Sequence, residues 1–210
     1  MTERVEDEDA ERVTETEVPL SKEQIGVLMM PLNPGRVQSR RGGGGANLSY
    51  LAAYDVKATL IRVFGFGGFS AETIKTEILR NEPYQKDGKD LVRVTAMCTV
   101  RLTIHVTGAV YSESAVSMQS GPDHGEVTDF AVKTAESDAL KRAATYLGTQ
   151  FGLGLYDNGS TQDVVRTVLE PQQGALLAEY RAEAEAKQTE QAKELKARAQ
   201  RAFSKGQENA

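Results

Sequence analysis

The chain has 210 residues, 25 Lys or Arg against 30 Asp or Glu, a formal net charge of −5, and 40% hydrophobic residues, which suits one domain with a real core plus appendages. A single cysteine, Cys98, excludes an internal disulfide, and with only His105 and His124 beside it there is no zinc-ligand set. No apolar run approaches the length of a membrane span and the acidic start is the opposite of a signal peptide, so a soluble, intracellular protein without a membrane partner is expected.

Charge is unevenly placed. Residues 1–17 hold eight acidic side chains and two Arg, which leaves residues 18–210 at +1, and residues 21–80 hold eight Lys or Arg against four Asp or Glu. A negative total therefore does not exclude nucleic acid, because binding depends on local potential. Residues 1–20 are poor in large apolar side chains and read as a disordered acidic tail. Its plainest role is solubility; a sharper one is electrostatic competition with any polyanion that the basic region binds.

Ser21 is a helix N-cap, Ile25, Leu28 and Met29 share one helical face, and Pro31 and Pro34 end that helix. An extended lead-in runs to Arg40. The following run, SRRGGGGAN, is a mobile or tightly bent loop; lacking G-K-(S/T) it is no Walker loop, and no ATP site or other cofactor is read from it. Residues 47–64 are expected as a second helix carrying Leu48, Leu51, Ala52, Leu60 and Phe64 near one face. Residues 70–80, 91–106 and 107–119 alternate as half-buried strands, with Asp87-Gly88 as a hairpin turn between the first two. Cys98 falls within this alternation as a small strand residue.

After a Gly-Pro-Asp loop over 120–127 comes a long amphipathic helix with Thr128 as N-cap. Its apolar stripe runs through Val132, Ala135, Ala139, Leu140, Ala143, Ala144, Leu147 and Phe151, and Gly148, Gly152 and Gly154 close it. Lys133, Lys141, Arg142 and Gln150 lie off the stripe. The order predicts an α+β fold, a three-stranded antiparallel sheet packed with this long helix and an N-terminal helix. Residues 21–160 form the core domain, 161–174 a linker or short helix, and 175–210 a charged helical tail.

Ala135, Ser137, Asp138, Leu140, Lys141, Arg142 and Ala143, followed by Gly148 and Gly152 four apart, resemble the signature helix of the Rad-fifty-two family of single-strand annealing proteins. Tyr50, the Asp55-Val56 step and F-G-x-x-G-aromatic at Phe64, Gly65, Gly68 and Phe69 resemble its phage-type branch. Three ordered motifs span roughly 27–160. The resemblance implies ATP-independent binding of single-stranded DNA and annealing of complementary strands in homologous recombination, DNA repair or phage recombination, by a non-enzymatic homo-oligomeric ring or filament. It places Lys141, Arg142 and Arg40 at the inner strand-binding groove, with Tyr50 near it; Arg41 and Lys133 are further DNA-binding candidates. The C-terminal tail would meet an exonuclease, a single-strand binding protein or a recombinase. The compartment is the cytoplasm, the host's if the chain is viral, and the nucleus only if it is eukaryotic.

The chain departs from the family at Thr145, where another basic residue is common, and the loop GPDHGEVTD lacks the lysines that an outer DNA site would use. Two other classes compete. A metal-dependent nuclease would use Asp129, Glu136 and Asp138, which do not converge from one helix segment. A double-stranded RNA-binding module also places basic helix residues after strands.

Overall fold

A computed structural model describes residues 20–42, 45 and 47–208. The acidic run 1–17 and part of the glycine-rich loop lie outside the described residues. Helix α1 (Lys22–Leu28) starts on a full capping box: the Ser21 hydroxyl accepts from the Gln24 N–H and the Gln24 side chain accepts from the Ser21 N–H. A 3-10 turn at Pro34–Arg36 leads into strand β1 (Val37–Arg41), which pairs antiparallel with β2 (Asn47–Leu51).

Residues 47–51 are thus a strand, and the expected helix over 47–64 is shortened to α2 (Ala53–Phe64). The reason is local pairing: Gln38 opposes Tyr50 and Arg40 opposes Leu48, a hairpin that periodicity alone does not distinguish from a helical turn. Gly65 ends α2 at φ 81, and a Cβ at Gly68 would collide with the Phe64 carbonyl, which explains the F-G-x-x-G spacing.

Strands β3 (Phe69–Lys86), β4 (Lys89–Ile104) and β5 (Ala109–Gly121) form the three-stranded antiparallel sheet in that order. Asp87 and Gly88, at φ 52 and 70, make the two-residue turn between β3 and β4. β3 slips register twice, between Thr73 and Lys75 and between Ile78 and Arg80.

Helix α3 (His124–Ala144) covers one sheet face. It begins earlier than expected: Asp123 caps it by accepting from the Glu126 N–H, and Thr128 lies inside the first turns, its hydroxyl bonded to the His124 carbonyl. Ala131, Ala135, Ala139 and Ala143 recur every four residues and are fully buried, so small side chains bring the helix axis close to the sheet. They face Val94, Ala96, Cys98, Val100, Leu102 and Ile104, the buried alternate residues of β4. Among the described residues nothing covers the opposite sheet face, which presents Val110, Val116 and Met118.

Three short 3-10 turns, Thr145–Leu147, Thr149–Phe151 and Leu153–Tyr156, follow α3 and bring Phe151 into the core beside Leu51 and Leu60. Helix α4 (Pro171–Glu208) attaches through its N-terminal part to α1, with Lys22 paired to Glu183 at 2.6 Å and to Glu179 at 3.4 Å. Among the described residues no helix is long and apolar enough to cross a membrane.

Candidate nucleic-acid interface

A groove of about 880 Å³ runs between the β1–β2 hairpin and the free edge of β5, floored by the last turns of α3 and the 3-10 segment after it. Its charged lining among the described residues is Arg40, Lys141, Arg142 and one carboxylate, Asp138. Strand alternation delivers Arg40: it shares a hairpin face with Tyr50, its diagonal neighbour, within reach of a long side chain. The Arg40 guanidinium carbon is 5.5 Å, and the Lys141 Nζ 5.4 Å, from the Tyr50 ring centroid. One aromatic ring therefore gathers cations from two distant parts of the chain, each attracted by its electron-rich face.

Lys141 also donates to Asp138 at 2.6 Å, the two side chains being 23% and 28% exposed. Arg142 points elsewhere, as neighbours on a helix must: its Nη1 donates to the Ser114 carbonyl on β5 at 2.8 Å. It lines the groove while bracing its wall. Tyr156, 71% exposed, stands on the groove's rim as a second aromatic surface that no sequence motif marks.

The remaining candidates are not brought in. Arg41 alternates to the other face of β1 and is not a lining residue, and Lys133 is 68% exposed and paired with Asp129 at 2.6 Å outside the groove. Tyr50 sits on a strand, where the sequence suggested a helix.

Outside the lining, and joined to it through Gln150 next to Phe151, is a polar network that sequence reasoning missed. Arg36 donates through Nε and Nη2 to both oxygens of Asp55, at 2.8 to 3.1 Å, and also to Thr59 Oγ1 at 2.7 Å, Gln150 Oε1 at 2.8 Å and the Gln150 carbonyl at 3.0 Å. Gln150, expected off the apolar stripe, is buried and donates to the carbonyls of Met30 and Pro31. This network locks the start of β1 to α2 and to the turns after α3, so the hairpin bank that carries Arg40 and the floor segment that follows Lys141 share one anchor.

The carboxylates of the nuclease reading are each engaged singly: Asp129 with Lys133, Glu136 with Thr73 Oγ1 at 2.6 Å, and Asp138 with Lys141. Among the described residues no three His, Cys, Asp or Glu are grouped to hold a metal ion.

Fold and groove together define an α+β protein with a cation-lined surface channel. Residues 22–174 match the family model described as Rad52/22 family double-strand break repair protein, and this chain belongs to that family. It is similar to two proteins of Schizosaccharomyces pombe (strain 972 / ATCC 24843). It is 25% identical over 139 residues to DNA repair and recombination protein rad22, an alignment covering 65% of this chain and 29% of that protein. It is 27% identical over 141 residues to DNA repair and recombination protein rti1, covering 67% of this chain and 37% of that protein. The chain thus spans about a third of the length of these relatives.

Proposed function

We propose that the protein binds single-stranded DNA in the groove between β2 and β5 and anneals complementary strands without ATP and without catalysing a covalent step. The observation that carries this reading is the convergence of Arg40 and Lys141 on Tyr50, with Arg142 alongside. Cations on fixed elements neutralise phosphates independently of base sequence and leave base edges available for pairing. The names of the two relatives support a place in DNA repair and recombination.

One chain offers two or three phosphate contacts, too few for firm binding, so we take the working form to be a ring or filament of many copies. The uncovered sheet face with Val110, Val116 and Met118 supports self-association. The F-G-x-x-G-aromatic run at Phe64–Phe69 supports the phage-type branch of the family, and with it a recombination role beside an exonuclease or a single-strand binding protein.

Fluorescence-monitored pairing of two complementary oligonucleotides in nucleotide-free buffer tests the reading. Acceleration over the protein-free rate is expected, and no acceleration overturns it. Magnesium-dependent cleavage of the same oligonucleotides would favour the nuclease, and preference for duplex RNA the RNA-binding module.

A further inference from the structure

Two ion pairs on α3 have the same 2.6 Å length and very different settings. Lys133–Asp129 stands in solvent, with side chains 68% and 53% exposed, whereas Lys141–Asp138 is half-buried inside the groove at 23% and 28%. The first serves a helix surface and little more. The second ties up the cation best placed for a phosphate, and it does so with the only carboxylate among the groove's described lining residues.

We propose that Asp138 is an internal stand-in for DNA phosphate: its carboxylate holds Lys141 over Tyr50 while the groove is empty, and gives the ammonium up when a phosphate arrives. This rests on the single-strand-binding reading above and names how that site is regulated. Arg40 and Lys141 crowd one ring, and a carboxylate paired with one of them relieves their repulsion. A carboxylate and a phosphate oxygen offer an ammonium the same charge-assisted hydrogen bond, so one exchanges for the other with little rearrangement. Asp138 is thereby a positioning residue, acting through Lys141. Its effect is to trim affinity: each bound phosphate must displace a neighbour already in place, and a strand held this way leaves readily enough to be handed to its complement.

The test is Asp138→Asn in the full chain, with poly-dT as the probe, measured for affinity across salt concentrations, for strand release in a chase with unlabelled oligonucleotide, and for melting temperature. Asn keeps the shape and loses the charge. Expected are affinity tighter by roughly two- to fivefold at low salt, the range of a partly exposed pair, and slower release. The slope of log affinity against log salt should steepen by up to about 0.7 per subunit, because no freed carboxylate recaptures a cation on binding. Combining Asp138→Asn with Lys141→Gln should abolish the gain. Weaker or unchanged binding with the wild-type slope overturns the proposal, as does loss of the fold in both Asp138→Asn and Asp138→Ser, which would make the carboxylate structural. If the wild-type chain fails to bind poly-dT, the proposed function falls and the inference with it; if the wild-type chain binds and the Asp138 variants give either overturning result, only the inference falls.

Discussion

The ring of Tyr180 on α4 lies flush against Gly26 on α1, so near that a Cβ at position 26 would stand 2.5 Å from its carbons. The joint between the core and the C-terminal helix is built on that missing side chain. Two effects oppose each other in Gly26→Ala: helix propensity gains about 1 kcal/mol, and overpacking against a bulky ring costs about 1–3 kcal/mol. The clash should prevail, releasing α4 and leaving the core folded. Faster hydrogen exchange or proteolysis over residues 171–183, with unchanged DNA affinity, is the expected result, since among the described residues none of α4 lines the groove. Unaltered protection of α4 would show that the ring moves aside freely.

Arg36→Ala should be among the most damaging single changes outside the apolar core. It strands Asp55, whose side chain is only 15% exposed, and removes partners from Thr59 and Gln150. Breaking one side of such a buried pair costs about 3–5 kcal/mol. Denaturant unfolding reads the loss directly, and removing Asp55 as well should recover part of it. A loss below about 1 kcal/mol would mean the network is solvated and weak.

Replacing Arg40 or Lys141 with Ala should weaken binding to poly-dT and to mixed-sequence DNA by the same factor, because a cation on a phosphate carries no base information. The salt slope should become shallower by about 0.7 for each phosphate no longer neutralised by a subunit. Melting temperature should hardly move, as charged side chains on a groove contribute little to folding. Lys141→Ala that melts the protein and leaves the slope of the remaining folded fraction intact would make Lys141 structural.

Tyr50 separates two contributions. Tyr50→Phe keeps the aromatic face for both cations and should bind DNA nearly as well as wild type, whereas Tyr50→Leu forfeits about 0.5–1 kcal/mol for each partly exposed cation–aromatic interaction. Equal affinities of the two variants would remove the ring from the site's electrostatics.

In the 3-10 turn directly after α3, Tyr146 stacks on Tyr111 with ring centroids 5.1 Å apart and donates its hydroxyl to Glu113 at 2.9 Å. That hydrogen bond to a carboxylate, and the carboxylate's charge, raise the phenol above its ordinary value of 10.0. A raised acid favours its neutral form when folded, so its contribution is whole below the unfolded pKa near 10 and is lost as pH climbs through the folded value. In a spectroscopic tyrosine titration, Glu113→Gln should ionise one tyrosine at lower pH than wild type. Superimposable titrations would show that the bond does not persist in solution.

The legible parts of this fold are those with a local cause. Ser21 announces a helix N-cap, Asp87-Gly88 announces a two-residue turn, and the alternation over β4 announces its buried face. Arg40, Tyr50 and Lys141 are reachable as a group only through family likeness, since nothing in their spacing says that a hairpin and a helix end meet. The misread elements share a different cause. Asn47–Leu51 is a strand because β1 is there to pair with it, and α3 begins at His124 because Asp123 caps it, ahead of Thr128 and in spite of Gly125. The Arg36–Asp55–Gln150 network joins residues 19 and 114 positions apart, a distance across which no pattern in one sequence speaks.

Among the described residues the three-stranded sheet has two free borders, β3 and β5, the second of them a bank of the groove, and they are protected from further strands by different means. β3 is irregular by itself: two register slips, Pro83, and charges such as Lys75, Glu77 and Arg80 make it a poor template for a neighbour. β5 has no such defences around Ser114, where the outward carbonyl is instead occupied by Arg142. A side chain placed by the signature helix thus also closes the sheet at three strands on the side where DNA would lie. Neutralising it would leave an open carbonyl beside exposed Val116, the ingredients of edge-to-edge aggregation. Poor solubility of an Arg142 variant therefore reports on strand edges and must be separated from any weakening of DNA binding.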